Sequence, residues 1–159
     1  MVNFLETLII NENVKIFILS MLPITELRFS IPYGILMYDI PIINTVTLSI
    51  IGNILIGVLI IYIIGPSMNF LRKFSFIENI ITSIFKRTRK KGDIVNRLKF
   101  FGLIIFVGIP LPLTGVWTGS LASYLFGLSK SKSVFAIICG VLLSSSIVTS
   151  LTIAGINIL

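Results

Sequence analysis

Leu22-Pro23-Ile24-Thr25-Glu26-Leu27-Arg28 cuts an apolar stretch in two, and Leu111-Pro112-Leu113-Thr114 repeats the Leu-Pro-x-Thr cut 89 residues later. A short apolar run, Val14 to Leu22, precedes the first cut, and another, Phe29 to Met37, follows it. Around the second cut the runs are Phe100 to Ile109, stopped by Pro110 and Pro112, and Val116 to Phe126. About ten helical residues reach only about half of a ~30 Å hydrocarbon core. A half-length helix, a proline break and another half-length helix describe a re-entrant hairpin with its tip near the midplane. The competing reading is one kinked transmembrane helix per stretch, because membrane helices tolerate proline. Two features favour hairpins: Glu26 and Arg28 lie together at the first break, and Pro110 and Pro112 remove two backbone donors at the second.

Each broken stretch is followed by a charge-free one, Pro41 to Ile64 and Ser133 to Ile158. Either exceeds the roughly 20 residues that a spanning helix needs. Gly65-Pro66 is expected to stop the first span, and Lys130 and Lys132 to precede the second. Both halves therefore read hairpin, then span.

Charge gives the two halves a direction. The chain has 159 residues, 55% of them hydrophobic and only 12% charged, with a net charge of +7; its mean hydropathy is +1.06. That composition excludes an ordinary water-soluble enzyme, a disordered tail and a free nucleic-acid binder. All of the +7 lies between Gly65 and Phe100, where only Glu78 and Asp93 oppose the basic residues; the rest of the chain is neutral. A basic block between apolar halves reads as a cytoplasmic loop by the positive-inside bias. It is also a surface for anionic lipid headgroups, with Lys86, Arg87, Arg89, Lys90 and Lys91 at its centre. Phe74, Ile77, Ile80, Ile81, Ile84 and Phe85 recur at helical spacing within it, which predicts an amphipathic helix on the membrane interface or against a partner.

With the block inside, the first span runs inward and the second outward. Lys130 and Lys132 then fall inside, and Glu6, Glu12 and Asp39 outside; Lys15 alone dissents. Inverted repeats with broken helices meeting at the midplane are a transporter architecture. The expected fold is thus an all-α integral membrane domain over residues 1–159. It has two inverted repeats (1–64 and 100–159), each a re-entrant helical hairpin followed by a transmembrane helix. A cytoplasmic, amphipathic basic linker (65–99) joins them, and both termini are extracytoplasmic. The first segment lacks the basic start of a cleaved signal peptide. With no histidine and one cysteine, Cys139, no His-based catalysis, disulfide framework, metal site or cofactor is expected.

Glu26 is the acidic residue set deep in apolar sequence. Burial disfavours a charged carboxylate, which makes Glu26 a candidate proton carrier. Arg28 keeps its proton and can grip a phosphate with two donors. The plainer reading is that the pair neutralise each other or pin the tip. Thr25 and Thr114 each sit where they could cap a half-helix N-terminus, and two such termini would make an anion site. Capping alone is the alternative. Gly115 and Gly119 form a GxxxG whose plain reading is close packing; Trp117 between them is an interfacial anchor or lines a ligand path. Thr45, Ser49 and Asn53, and Ser145, Thr149 and Thr152, form polar stripes that more often glue helices than conduct. Pro23, Pro110 and Pro112 shape the tips, and Pro32 with Gly34 the outer arm of the first hairpin.

The strings LPITELRFSIPYGI (Leu22 to Ile35) and PLPLTGVWTGSLASYLFGL (Pro110 to Leu128) resemble the small multidrug export protein family of prokaryotic membrane proteins. The resemblance covers essentially the whole chain. It implies a distant similarity to the DedA, or VTT-domain, superfamily, associated with two inverted re-entrant hairpins, proton-dependent physiology and translocation of lipid phosphates such as polyprenyl phosphates. Carried over are Glu26 and Arg28, then Pro112, Thr114, Gly115 and Trp117. The second hairpin has no Arg after its proline motif, so phosphate binding would rest on Arg28 and backbone groups.

The first expectation is therefore a proton-coupled transporter or flippase of an anionic amphiphile. Arg28, Thr25, Thr114, Gly115 and Trp117 would hold a lipid phosphate, and Glu26 would carry the proton. The alternatives are a small-molecule exporter, with Glu26 among Phe29, Tyr33 and Trp117 as a cation site, and a non-transporting scaffold acting through the basic loop. Membrane lipids are the expected partners, nucleic acid is not, and exposed polar tips predict a homodimer or higher oligomer.

Overall fold

A computed structural model describes residues 11–38, 40–71, 93–111 and 114–156, with side chains described outside 68–97. The basic residues Lys86, Arg87, Arg89, Lys90 and Lys91, the expected interfacial helix, Pro112 and both chain ends lie outside these residues. Within them the chain is helical: α1 (Glu12–Met21), α2 (Glu26–Leu36), α3 (Ile42–Leu71), α4 (Asp93–Gly108), α5 (Val116–Leu125) and α6 (Lys130–Ile156).

The lengths fall into three classes. Helix α4, with 16 residues and about 24 Å, lies between the rest. It starts at Asp93, inside the stretch expected as linker and ahead of the expected short run from Phe100. At ~1.5 Å per residue, α3 and α6 are about 45 and 40 Å long, more than a ~30 Å core, whereas α1, α2 and α5 are about 15 Å. The long pair are apolar enough to cross a membrane over Ile42–Ser67 and Lys130–Ile156. Their outward residues are apolar too: Ile51 is 51% exposed and Leu151 64%. Surfaces of that kind suit lipid, not water.

Local chemistry sets the ends. Asn11 caps α1 by accepting from the Asn13 backbone N–H at 2.9 Å. Pro41 opens α3, its carbonyl accepting from the N–H groups of Asn44 and Thr45. Gly65-Pro66 does not stop α3, contrary to the sequence reading; the helix passes through both to Leu71. Pro66 removes one donor, and the Tyr62 carbonyl four residues earlier belongs to a residue 54% exposed, so one missing bond does not end the helix. Likewise α6 already starts at Lys130, so both lysines fall in its first turn.

Both broken stretches fold back on themselves. The Ile16 Cδ1 lies 3.0 Å from where a Cβ on Gly34 would stand, and the Lys15 ammonium sits 5.6 Å over the Tyr38 ring. In one continuous helix residues 16 and 34 would be about 27 Å apart. In the second half, Lys99 Nζ donates to the Phe126 carbonyl at 3.1 Å, and Gly119 faces Leu103.

Packing is reciprocal. The first arms α1 and α4 lie on the long helix of their own half, α3 and α6 respectively. The second arms also cross over: α2 packs on α6 and α5 on α3. One core, including Leu27, Ile31, Ile61, Leu103, Val116 and Ile137, joins both halves. A smaller cluster of Ile16, Leu19 and Ile40, with Tyr33 and Tyr38 against it, fills the first fold-back.

The polar stripe of α3 is interhelical. Thr45, Ser49 and Asn53 are fully buried. Ser30 Oγ donates to Ser49 Oγ at 2.7 Å, and Asn53 Nδ2 donates to the Ser20 carbonyl at 3.0 Å. In the stripe of α6, Ser145 and Thr152 instead bond carbonyls of their own helix.

Candidate functional site

The two Leu-Pro-x-Thr breaks meet. In the first, the Glu26 N–H donates to the Leu22 carbonyl at 3.0 Å, and Glu26 itself takes a left-handed backbone, φ 45°. No other non-glycine residue among the described ones has positive φ. Such a conformation costs about 1–3 kcal/mol outside glycine. It redirects the chain into α2 and turns the Glu26 side chain toward the second break.

There the carboxylate reaches the start of α5. The Trp117 backbone N–H lies 3.5 Å from Glu26 Oε1 and points to it. Gly115, at the N-cap, leaves space for the carboxylate: a Cβ there would meet both carboxylate oxygens, at 2.6 Å for Oε1 and closer still for Oε2. Glu26 is 6% exposed. A negative group beside the first, unbonded N–H groups of a helix is favoured by both hydrogen bonding and the helix dipole. Glu26 therefore serves as the cap that Gly115 cannot supply.

Arg28 makes the second tie. Its Nη1 donates to the Leu111 carbonyl and its Nη2 to Thr114 Oγ1 at 3.1 Å. Nη2 also lies 3.9 Å from Glu26 Oε2. Arg28 Nε is buried without a partner. Trp117 makes the third tie: Nε1 donates to the Met21 carbonyl at 3.0 Å. Each break thus satisfies polar groups that the other leaves open, which buried backbone requires.

Several expected roles change. Thr25 does not cap α2; its hydroxyl donates to the Leu19 carbonyl at 2.5 Å. Thr114 does not cap α5, whose N-cap is Gly115. Its Oγ1 accepts from the Leu111 N–H at 3.2 Å and lies 2.8 Å from the Ile109 carbonyl. Both hydroxyls stitch their own turns, because each turn leaves a carbonyl closer than the helix N-terminus. The GxxxG divides its work: Gly119 packs near Ile137 and Leu103, whereas Gly115 faces the carboxylate. The aromatic group around Glu26 does not assemble. Tyr33 belongs to the Ile16–Leu19–Ile40 cluster, and Phe29 stacks on it at 5.0 Å. Trp117 alone of the three borders the acid.

A cavity of about 460 Å³ opens at this meeting point. Pro23 and Ile24 wall it from the first break, Pro110, Leu111 and Thr114 from the second, Trp117 and Thr118 from α5, with Glu26 and Arg28 between. Its surface is mostly apolar, with one carboxylate and one guanidinium. Sequence reading missed the carbonyls of Met21 and Leu111 and the buried Ser20, Ser30 and Ser120. Carbonyls carry no side-chain signal, and isolated serines in apolar runs are unremarkable. Ser120 Oγ donates to the Gly57 carbonyl at 3.3 Å and ties α5 to α3.

A family model described as "Putative small multi-drug export protein" matches residues 26–147, from Glu26 at the first break into α6. No curated protein and no solved structure matches the chain.

Proposed function

The chain belongs to the small multi-drug export protein family, and on that premise we propose that it is a membrane exporter of small amphipathic molecules, driven by protons through Glu26. The observation that carries this reading is the cavity between the two breaks, with Glu26 and Arg28 in its wall. Its volume falls within the roughly 300–1,000 Å³ of small-molecule sites. Ionisable groups within an otherwise apolar membrane chain mark functional positions by default. In this reading the broken stretches are re-entrant hairpins in an inverted repeat, and their tips meet near the midplane. The linker is cytoplasmic.

Protonation supplies the coupling step. A neutral Glu26 no longer complements the N-terminus of α5 or Arg28, so the ties between the breaks weaken together. The two tips can then part around a molecule in the cavity. Deprotonation restores the cap and closes them.

A lipid-phosphate flippase fits this geometry less well. Its headgroup would need the N-terminus of α5 and the donors of Arg28, but Glu26 already holds that N-terminus and Leu111 and Thr114 hold Nη1 and Nη2, which leaves Nε alone. A scaffold acting through the basic loop gives the buried charges no task.

Proteoliposomes loaded with ethidium test the reading. An imposed pH gradient is expected to drive ethidium movement, and Glu26→Gln to abolish it while the protein stays monodisperse. Undiminished movement with Glu26→Gln would remove Glu26 from the coupling role. Movement of a polyprenyl phosphate but not of ethidium would favour the flippase.

A further inference from the structure

Arg28 borders two spaces. On one side is the central cavity between the breaks. On the other is a groove of about 330 Å³ between α2 and the last turns of α6, walled by Pro32, Pro110, Val148, Leu151 and Thr152. Arg28 and Pro110 are the residues the two share. Pro110 is a rigid ring on the second break. Arg28 is a long side chain whose position depends on hydrogen bonds.

The geometry points to Arg28 as the movable barrier between the central cavity and this groove, so that an exported molecule leaves past its guanidinium. This rests on the export reading above and assigns the groove and the barrier within it. Its hydrogen bonds go to the opposite break, Nη1 to Leu111 and Nη2 to Thr114, while the Glu26 carboxylate of its own break lies 3.9 Å from Nη2. If the breaks part, Leu111 and Thr114 move away from Arg28 together. The hold is also incomplete, because Nε is buried with no acceptor. A molecule carrying an acceptor could take that donor as it passes, which lowers the cost of drawing the guanidinium from its resting bonds. Pro32 contributes from below. It has no N–H for the Arg28 carbonyl four residues earlier, so the turn of α2 that carries Arg28 lacks one of its helical bonds. A barrier on a loosened turn moves more easily than one in a regular helix.

The cavity opens outward at the exposed Ile24, Leu111 and Thr118 and the groove at the exposed Leu151, so labelling from the face on which the groove opens can read whether Arg28 parts the two. In a Cys139→Ala background, single cysteines are placed at Thr152, in the groove, and at Thr118, in the cavity. A membrane-impermeant charged methanethiosulfonate is added to each face of reconstituted vesicles in turn. Thr152→Cys is expected to react from one face. From that face Thr118→Cys should react about tenfold more slowly or worse, and Arg28→Ala should remove most of the difference. Thr114→Val, which keeps Arg28 and removes one of its acceptors, should speed Thr118→Cys labelling part of the way and guards against misfolding of Arg28→Ala. Equal rates at the two cysteines with Arg28 intact, or a slow Thr118→Cys that neither substitution speeds, would overturn the barrier. Labelling reads access, not export. A barrier that responds to Arg28 in vesicles that move no ethidium would count against the export reading and leave the barrier standing.

Discussion

The Glu26 carboxylate occupies the space that a side chain at Gly115 would fill. An acid from the first break is thus the cap of a helix in the second, and a side chain at Gly115 would displace it.

Gly115→Ala is the direct probe. The new methyl would meet both carboxylate oxygens and force Glu26 off the start of α5. A loss of about 1–3 kcal/mol is expected from the displaced group and the uncapped N–H groups. Thermal unfolding in detergent measures it. With Glu26→Ala already present, the same change should cost far less, because the collision partner is gone. Additive losses in that double-mutant cycle would separate the two residues.

Trp117→Phe keeps an aromatic ring beside the cavity and removes the donor to the Met21 carbonyl. About 1 kcal/mol of stability should be lost. Ethidium movement should persist, since the cavity wall keeps its ring. Complete loss of movement with full stability would give the indole N–H a role in binding instead.

Glycines of α3 should respond in opposite ways. A Cβ at Gly52 would lie 2.8 Å from the Phe17 backbone carbonyl and closer to Ser20 Oγ. Gly52→Ala must therefore push α1 off α3, and little folded protein is expected on size-exclusion chromatography. Gly65 has nothing within 4 Å of such a Cβ. Gly65→Ala should be neutral or stabilising, by up to about 1 kcal/mol from helix propensity. Similar yields for both would mean that α1 does not press on α3 as described.

Exposed apolar tips predict association. Ile24 is 85% exposed and Leu111 55%, both at the rim of the central cavity. A homodimer or larger assembly covering these tips is expected from light scattering in mild detergent. Ile24→Lys should shift it toward the single chain. A wild-type chain that runs as a monomer would count against this assembly.

The breaks were legible because proline and charge act locally. Pro23, Glu26 and Arg28 announce an interruption wherever the rest of the chain goes, and the repeated Leu-Pro-x-Thr pairs it with a second one. The roles at the breaks were not legible, because the partners are remote. Glu26 and Trp117 are 91 positions apart, and Arg28 and Thr114 are 86 apart. No local motif connects them. Thr25 and Thr114 occupy ordinary capping positions in sequence, and a carboxylate from elsewhere took the work at α5. Gly65-Pro66 failed as a stop signal for a different reason. A missing donor ends a helix only when its carbonyl cannot be served otherwise, and sequence does not show the surroundings of that carbonyl. The polar stripe of α3 read correctly as glue, since three polar residues one turn apart must face a neighbour.

The crossed packing of the second arms bears on how the chain is made. Synthesis delivers α1, α2 and α3 before α4, α5 and α6, yet α2 packs on α6 as well as on α1 and α3. Until then Glu26 has no helix start to cap, and Arg28 has no Leu111 or Thr114 to hold. The first half must wait in the translocation machinery or the bilayer with Glu26 and Arg28 paired only with each other at its tip. Insertion therefore completes as one late event, when the second half enters and both tips close together. A chain truncated after α3 should accordingly be degraded as an orphan, and its complementary second half, supplied as a separate polypeptide, should rescue it.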